Sequence, residues 1–153
     1  MNTQYPGIFY KKDGKYTLEQ AFTVQTRLRP GGTIRTTYIT LSPHGQLAVF
    51  KGFKWDGVSG GIIDNPYNQL AGCVHDAIYR LFQKGLLPNT RENLTISHKL
   101  FKDIWISTAE HADMSSKRYH FEAAKARYAY IGLRIAGAHF SEDIYLPKVK
   151  RAP

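Results

Sequence analysis

Cysteine is nearly absent from this chain, and long apolar runs are absent altogether. The single cysteine, Cys73, cannot form a disulfide within the chain, which excludes the disulfide-stapled class of small secreted domains. No run of about 18 apolar residues is present, so we expect no transmembrane segment. The segment Met1–Phe9 lacks both a positively charged start and an apolar stretch, so we expect no signal peptide.

Acidic residues are also scarce. The 153 residues include 21 Lys and Arg against 12 Asp and Glu, which gives a formal net charge of +9. A basic surface attracts nucleic acid, anionic lipid or an acidic protein partner, and charge alone does not choose among them. Because no nucleic-acid motif accompanies the charge, nucleic acid is the less favoured partner.

The length predicts a single domain, 1–153, whose first part, 1–55, has the pattern of β-structure. Apolar and polar residues alternate, or β-formers dominate, in three runs: Phe22–Leu28, Ile34–Thr40 and a run that begins at Leu47. Turn-forming residues lie at 12–15, 30–32 and 43–45. We therefore predict a small, mostly antiparallel N-terminal sheet.

The second part, 56–140, has the pattern of a loop followed by helices. Residues 56–68 are rich in Gly, Asn, Asp and Pro, and the apolar spacing from Leu70 to Phe82 predicts a buried helix. Asn89, with Glu92 three residues later, predicts a capping box that starts a second helix. This second helix is expected to end at about Ala109.

A third helix is predicted to end near Gly137. Its apolar residues recur at helical spacing: Phe121, Ala124, Tyr128, Ile131 and Ile135. Residues 141–153 form a basic tail that we expect to be loose. The predicted fold class is α+β, with the small sheet followed by a helical hairpin and a third C-terminal helix.

Several residues that could take part in catalysis or metal binding lie close together if the first two helices form a hairpin. They are His75, Asp76 and Tyr79 on the first helix, His98 on the second, and the loop residues Asp56 and Gly57. His75 and His98 are about equally far in sequence from the centre of the connecting loop. An antiparallel hairpin therefore places them side by side, at the same level along the two helices. Each residue alone has an ordinary structural explanation, but together they predict a functional centre or its remnant.

The motif Cys73–Tyr79 resembles the His-Asp-x-x-Tyr helix of secretory-type phospholipases of the A-two class, especially their bacterial and parvoviral branches. Asp56-Gly57-Val58-Ser59 resembles the Asp-Gly-x-Ser loop of the bacterial branch and begins twenty residues before Asp76. Over about 50–137, the chain also resembles an uncharacterised domain family of tailed phages. That family shares the loop and the His-Asp helix, and its Tyr-x-x-x-Arg-x-x-Gly ending is similar to Tyr130–Gly137.

The resemblance implies a specific chemistry. His75 would be the general base that activates water, and Tyr79 would orient the partner of this base. Asp56, the carbonyl of Gly57 and Asp76 would bind calcium, which would stabilise the oxyanion of an ester's tetrahedral intermediate.

One residue departs from the phospholipase pattern, because His98 stands where that pattern has an aspartate. The aspartate orients the base and stabilises its imidazolium, and losing the equivalent carboxylate of a triad slows the reaction on the order of ten-thousandfold. Two histidines with Asp56 and Asp76 would suit zinc or another transition metal, which is a less favoured alternative. A hydrogen bond between two neutral histidines is favoured over that metal site.

Four functions remain open at this point, and the last and less favoured of them is a nucleic-acid binder with no catalytic role. The first is a bacteriophage protein, virion-associated or an assembly component, that keeps a phospholipase-like scaffold with a weak or inactive hydrolase site. The second is an active calcium-dependent phospholipase or esterase that acts on the host envelope during entry or lysis. The third is a metal-dependent phosphohydrolase. The expected partners are other virion proteins and an anionic lipid surface, and the expected location is the virion or the host cytoplasm.

Overall fold

The computed structural model describes residues 3–58 and 62–143, with the side chains of the last helix described to residue 136. Within these ranges a β-rich half precedes three helices, so the predicted α+β layout is confirmed. Both halves contribute side chains to one hydrophobic core. The expected basic tail lies outside the described residues from 144 onward, whereas 141–143 belong to the third helix.

The β-rich half contains short strands, which are β1 Tyr10–Asp13, β2 Lys15–Leu18, β3 Phe22–Gln25, β4 Ile34–Arg35, β5 Ile39–Leu41, β6 Gln46–Val49 and β7 Lys54–Trp55. They form two antiparallel sheets, β1-β2-β7 and β3-β6-β5-β4, where the sequence predicts one small sheet. The hairpin expected at 12–15 is present, because β1 pairs with β2 and Gly14 takes a φ of 73° at the turn.

The run Ile34–Thr40, predicted as one strand, is two strands that fold back on each other. Ile34 of β4 lies opposite Leu41 of β5. Thr36 makes the reversal, because its Oγ1 accepts a hydrogen bond from the backbone N–H of Ile39 at 3.0 Å. A threonine hydroxyl stabilises turns in this way, and the prediction of a continuous strand is therefore wrong.

The helices are α1 Gln69–Gln83, α2 Arg91–Glu110 and α3 Ser116–Asp143. The N-cap of α2 is Thr90 rather than the predicted Asn89, because Oγ1 of Thr90 accepts a hydrogen bond from the Asn93 N–H at 3.1 Å. Glu92 is therefore one residue too early to complete a capping box. None of the helices in 3–58 and 62–143 is both long and apolar enough to cross a bilayer.

Two buried tryptophans join the elements around the site. The indole N–H of Trp55, on β7, donates to Oε1 of Gln69 on α1 at 3.3 Å. The indole N–H of Trp105, on α2, donates to Oε1 of Glu122 on α3 at 3.1 Å. The same Glu122 oxygen accepts from Nδ2 of Asn65 at 2.9 Å, so one buried carboxylate fixes α2, α3 and the loop before α1 together.

Candidate functional site

Helix α1 places His75 and Tyr79 one turn apart on the face that meets α2. Their ring centroids are 4.1 Å apart, and the edge of Phe101 from α2 packs against His75 at 5.5 Å. The His75 side chain is only 9% exposed, so the imidazole is held by packing on both sides. This arrangement follows from the amphipathic stripe of α1, since residues four apart share a helix face.

Helix α2 brings His98 to the same place. The His75 and His98 ring centroids lie 5.6 Å apart in a stacked arrangement, so the predicted closeness of the two imidazoles is confirmed. The hydroxyl of Tyr79 lies 2.5 Å from Nε2 of His98, a hydrogen bond across the hairpin. Burial, followed by the proximity of His75 and then Arg134, lowers the pKa of His98 to about 3. His98 is therefore neutral near pH 7.

The hydrogen bonding of His75 differs from that of its neighbour. Its Nδ1 lies 4.0 Å from Oδ1 of Asp76, and its Nε2 is buried without a hydrogen-bond partner in the part of the chain that the structure describes. The alternative of a hydrogen bond between the two histidines through this atom is therefore wrong. A buried polar atom without a partner costs about 1–3 kcal/mol, so this nitrogen does not stabilise the fold.

A cavity of about 430 Å³ lies beside His75. Helix α1 contributes His75 and Asp76 to its lining, and the preceding loop contributes Gly57 and Val58. The rest of the lining is mostly apolar and comes largely from α3, including Tyr128 and Leu133, with Phe101 from α2. Cavities of this size and character, with a few converging polar groups, are typical of small-molecule sites.

The loop beside the cavity is held by Asp64, a residue that belongs to none of the motifs recognised in the sequence. Its Oδ1 accepts from the backbone N–H of Val58 at 2.7 Å, and its Oδ2 accepts from the hydroxyl of Tyr16 at 2.9 Å. Burial, and then this hydrogen bond, raise the pKa of Tyr16. No local signal could have identified Asp64, because its role depends on β2 lying next to the loop.

Gly57 is required by this loop for two reasons. Its φ of 93° lies in the left-handed region, and a Cβ there would collide with the carboxylate of Asp64. Its carbonyl oxygen approaches Gly72 of α1, where a Cβ would lie 3.5 Å from it. The loop therefore sits close against the helix that carries His75.

The expected calcium ligands are divided between two places. Gly57 and Asp76 line the cavity, whereas the Asp56 side chain is 77% exposed and pairs with Lys15 at 3.6 Å. Ser59, the last residue of the loop motif, lies outside the described residues. Within 3–58 and 62–143, no group of three or more His, Cys, Asp or Glu side chains is placed to hold a metal ion.

Cys73 lies on the same helix as His75 but belongs to the core. It is fully buried, and burial, with a smaller effect of Asp76, raises the pKa of its thiol well above the usual value. The thiolate is therefore strongly disfavoured, as expected for a packing residue.

Comparisons of this chain with family models, with curated proteins and with solved structures gave no match.

Proposed function

We propose that this chain is a bacteriophage virion or assembly component built on a phospholipase-like scaffold whose hydrolase site is weak or inactive. The phage assignment rests on the sequence resemblance, and the observation that supports a weak or inactive site is the environment of His98. This residue takes the position of the orienting carboxylate, is neutral, and bonds to Tyr79. His75 is left with no hydrogen-bond partner on Nε2 among the described residues.

The weakness of the site follows from how a histidine base works. When His75 takes a proton from water it becomes an imidazolium, and a neighbouring carboxylate stabilises that charge. The low pKa of His98 means that a neutral ring faces the base instead, stacked at 5.6 Å. A neutral ring provides no negative charge, and the Asp76 carboxylate lies 4.0 Å from Nδ1 of His75, too far for an orienting hydrogen bond, so we expect the barrier to proton transfer to stay high.

The test is lipid hydrolysis by the purified full chain. Vesicles of phosphatidylglycerol are incubated with the protein in millimolar calcium, and released fatty acid is measured beside the same assay of His75→Ala. The proposal predicts that both proteins release fatty acid at rates close to the protein-free background. Calcium-dependent release by the unmodified chain far above that background, abolished in His75→Ala, would overturn it.

An active calcium-dependent phospholipase or esterase is the second candidate, and one observation favours it. Gly57, His75 and Asp76 line the same cavity, which is the set that a calcium-assisted ester hydrolysis needs. This candidate predicts heat of calcium binding in calorimetry that disappears in Asp76→Asn. A flat titration of the unmodified chain in millimolar calcium would count against it.

A further inference from the structure

Helix α3 buries its small residues and exposes its large apolar ones, the reverse of the usual amphipathic helix. Ala123, Ala126 and Ala129 are buried in the interface where α3 packs on α2. Four large apolar side chains on the other side are between 58% and 77% exposed: Phe121, Tyr128, Ile131 and Ile135. An exposed apolar ridge of this kind marks an interaction surface in a folded protein.

The spacing of the exposed residues has the period of a coiled-coil seam. Together with the exposed Ala124, these positions are separated alternately by three and four residues: 121, 124, 128, 131 and 135. They correspond to positions a and d of successive heptads, and the buried alanines fall at b, c and f on the opposite face. We call this exposed row the α3 seam.

The residues that flank the α3 seam are positively charged. With Phe121 at position a, Lys125 falls at e and Arg127 and Arg134 fall at g. The one acidic residue within 116–136 is Glu122, and it is fully buried and bound by Lys125 at 2.6 Å. The other charged residues within 116–136 are all Lys or Arg, so the charge that α3 itself exposes beside the seam is positive.

This charge pattern selects the partner. In an antiparallel pair of α3 helices, g positions face g positions, so Arg127 and Arg134 would meet like charges, and in a parallel pair Arg127 would face the uncharged Gly132. An acidic partner helix would pair with these arginines in either orientation. A bilayer surface suits a broad apolar face, whereas the α3 seam is only two residues wide in each heptad. We infer that the α3 seam docks an amphipathic helix of a partner protein that carries Glu or Asp at its own e and g positions.

The inference does not depend on whether the site at His75 hydrolyses lipid. Tyr128, Ile131 and Ile135 also line the cavity beside His75, so the cavity adjoins the seam. Binding at the seam is nevertheless measured without any lipid cleavage, and it can fail or succeed whether or not His75 is catalytic.

The probe is a synthetic helix of about 21 residues, long enough to be partly helical alone, with Leu at a and d and Glu at e and g. A second peptide carries Lys at e and g. Binding of each labelled peptide to the full chain is followed by fluorescence anisotropy at increasing salt. We expect binding of the Glu peptide only, weakening as salt screens the charges.

Matched variants separate the α3 seam from general charge effects. Ile131→Asp should weaken binding of the Glu peptide by about tenfold or more, as for a central interface residue. Ile63→Asp makes the same change at a residue that is 84% exposed outside α3, and it should bind as the unmodified chain does. Arg127→Glu should weaken binding, whereas Lys99→Glu, on the exposed surface of α2, should not.

Four results would overturn the inference. One is a folded protein that binds neither peptide, and another is equal binding of both peptides. A third is self-association in sedimentation experiments that Ile131→Asp removes, because the partner would then be a second copy. The fourth is binding to phosphatidylglycerol vesicles without binding to the Glu peptide, because the surface would then be lipid-binding.

Discussion

The hydroxyl of Tyr79 lies 2.5 Å from Nε2 of His98, so a hydrogen bond joins the His98 imidazole on α2 to Tyr79 on α1. The first imidazole, that of His75, stacks on His98 and has no hydrogen-bond partner on Nε2 within the described part of the chain. Two histidines at the same height therefore have different environments, and this difference has measurable consequences.

The titration of His98 is the first prediction. Since burial is the largest cause of its lowered pKa, its ring should stay neutral as the pH falls from its usual pKa of 6.5 to about 3. The measurement is the histidine ring chemical shift in NMR across this range. Tyr79→Phe removes the hydrogen bond but not the burial, so His98 should still titrate well below 6.5. Titration of His98 near 6.5 in the unmodified chain would contradict the described environment.

The same shift predicts a loss of stability in acid. The unfolded chain protonates His98 near 6.5, whereas the folded chain resists protonation down to about 3. The unfolded state therefore binds more protons within this window, and the free energy of unfolding falls as the pH falls through it. His98→Gln should show a shallower decrease in denaturant titrations at the same pH values. Equal slopes for the two proteins would contradict this linkage.

The buried carboxylate of Glu122 predicts a second contribution to stability. Burial raises its pKa, but hydrogen bonds from Lys125, Trp105 and Asn65 outweigh burial and hold the pKa below the usual 4.5. Its contribution is therefore complete above pH 4.5 and is lost as the pH falls through the lowered pKa. Glu122→Gln should cost about 1–3 kcal/mol at pH 7 and less in acid, measured by urea denaturation.

An exposed ion pair provides the control for Glu122. Glu19 pairs with Lys11 at 3.4 Å near the surface, so Glu19→Gln should cost no more than about 1 kcal/mol. Similar losses for the two variants at pH 7 would mean that the buried carboxylate does not link α2, α3 and the loop as described.

The loop beside the cavity gives the next prediction. Gly57→Ala should destabilise the fold by about 1–3 kcal/mol, because its left-handed φ disfavours a Cβ that would also displace Asp64. Gly14→Ala is the matched control, since its φ of 73° carries the same strain but nothing lies within 4 Å of the added Cβ. Thermal unfolding should show a larger loss of stability for Gly57→Ala than for Gly14→Ala. Equal losses of stability would contradict the close contact between Gly57 and Asp64.

Local patterns in the sequence predict the helices and the hairpin turn, because these depend on neighbouring residues. The apolar stripe of α1 places His75 and Tyr79 on one face, and the hairpin geometry places His98 beside them. Features that depend on distant contacts are missed. The turn at Thr36 interrupts an apparently continuous strand, and Asp64 is held by Tyr16 from a strand 48 residues earlier. The outward orientation of the α3 stripe also required the structure, since spacing alone does not tell which face is buried.

The most direct measurement is fatty-acid release by His98→Asp and His98→Asn from phosphatidylglycerol vesicles in calcium, with circular dichroism to confirm that both fold. If the missing carboxylate limits the site, His98→Asp should exceed both His98→Asn and the unmodified chain by at least about tenfold, and His75→Ala should remove the gain. A folded His98→Asp variant no faster than His98→Asn, or an unmodified chain that already matches it, would contradict the account.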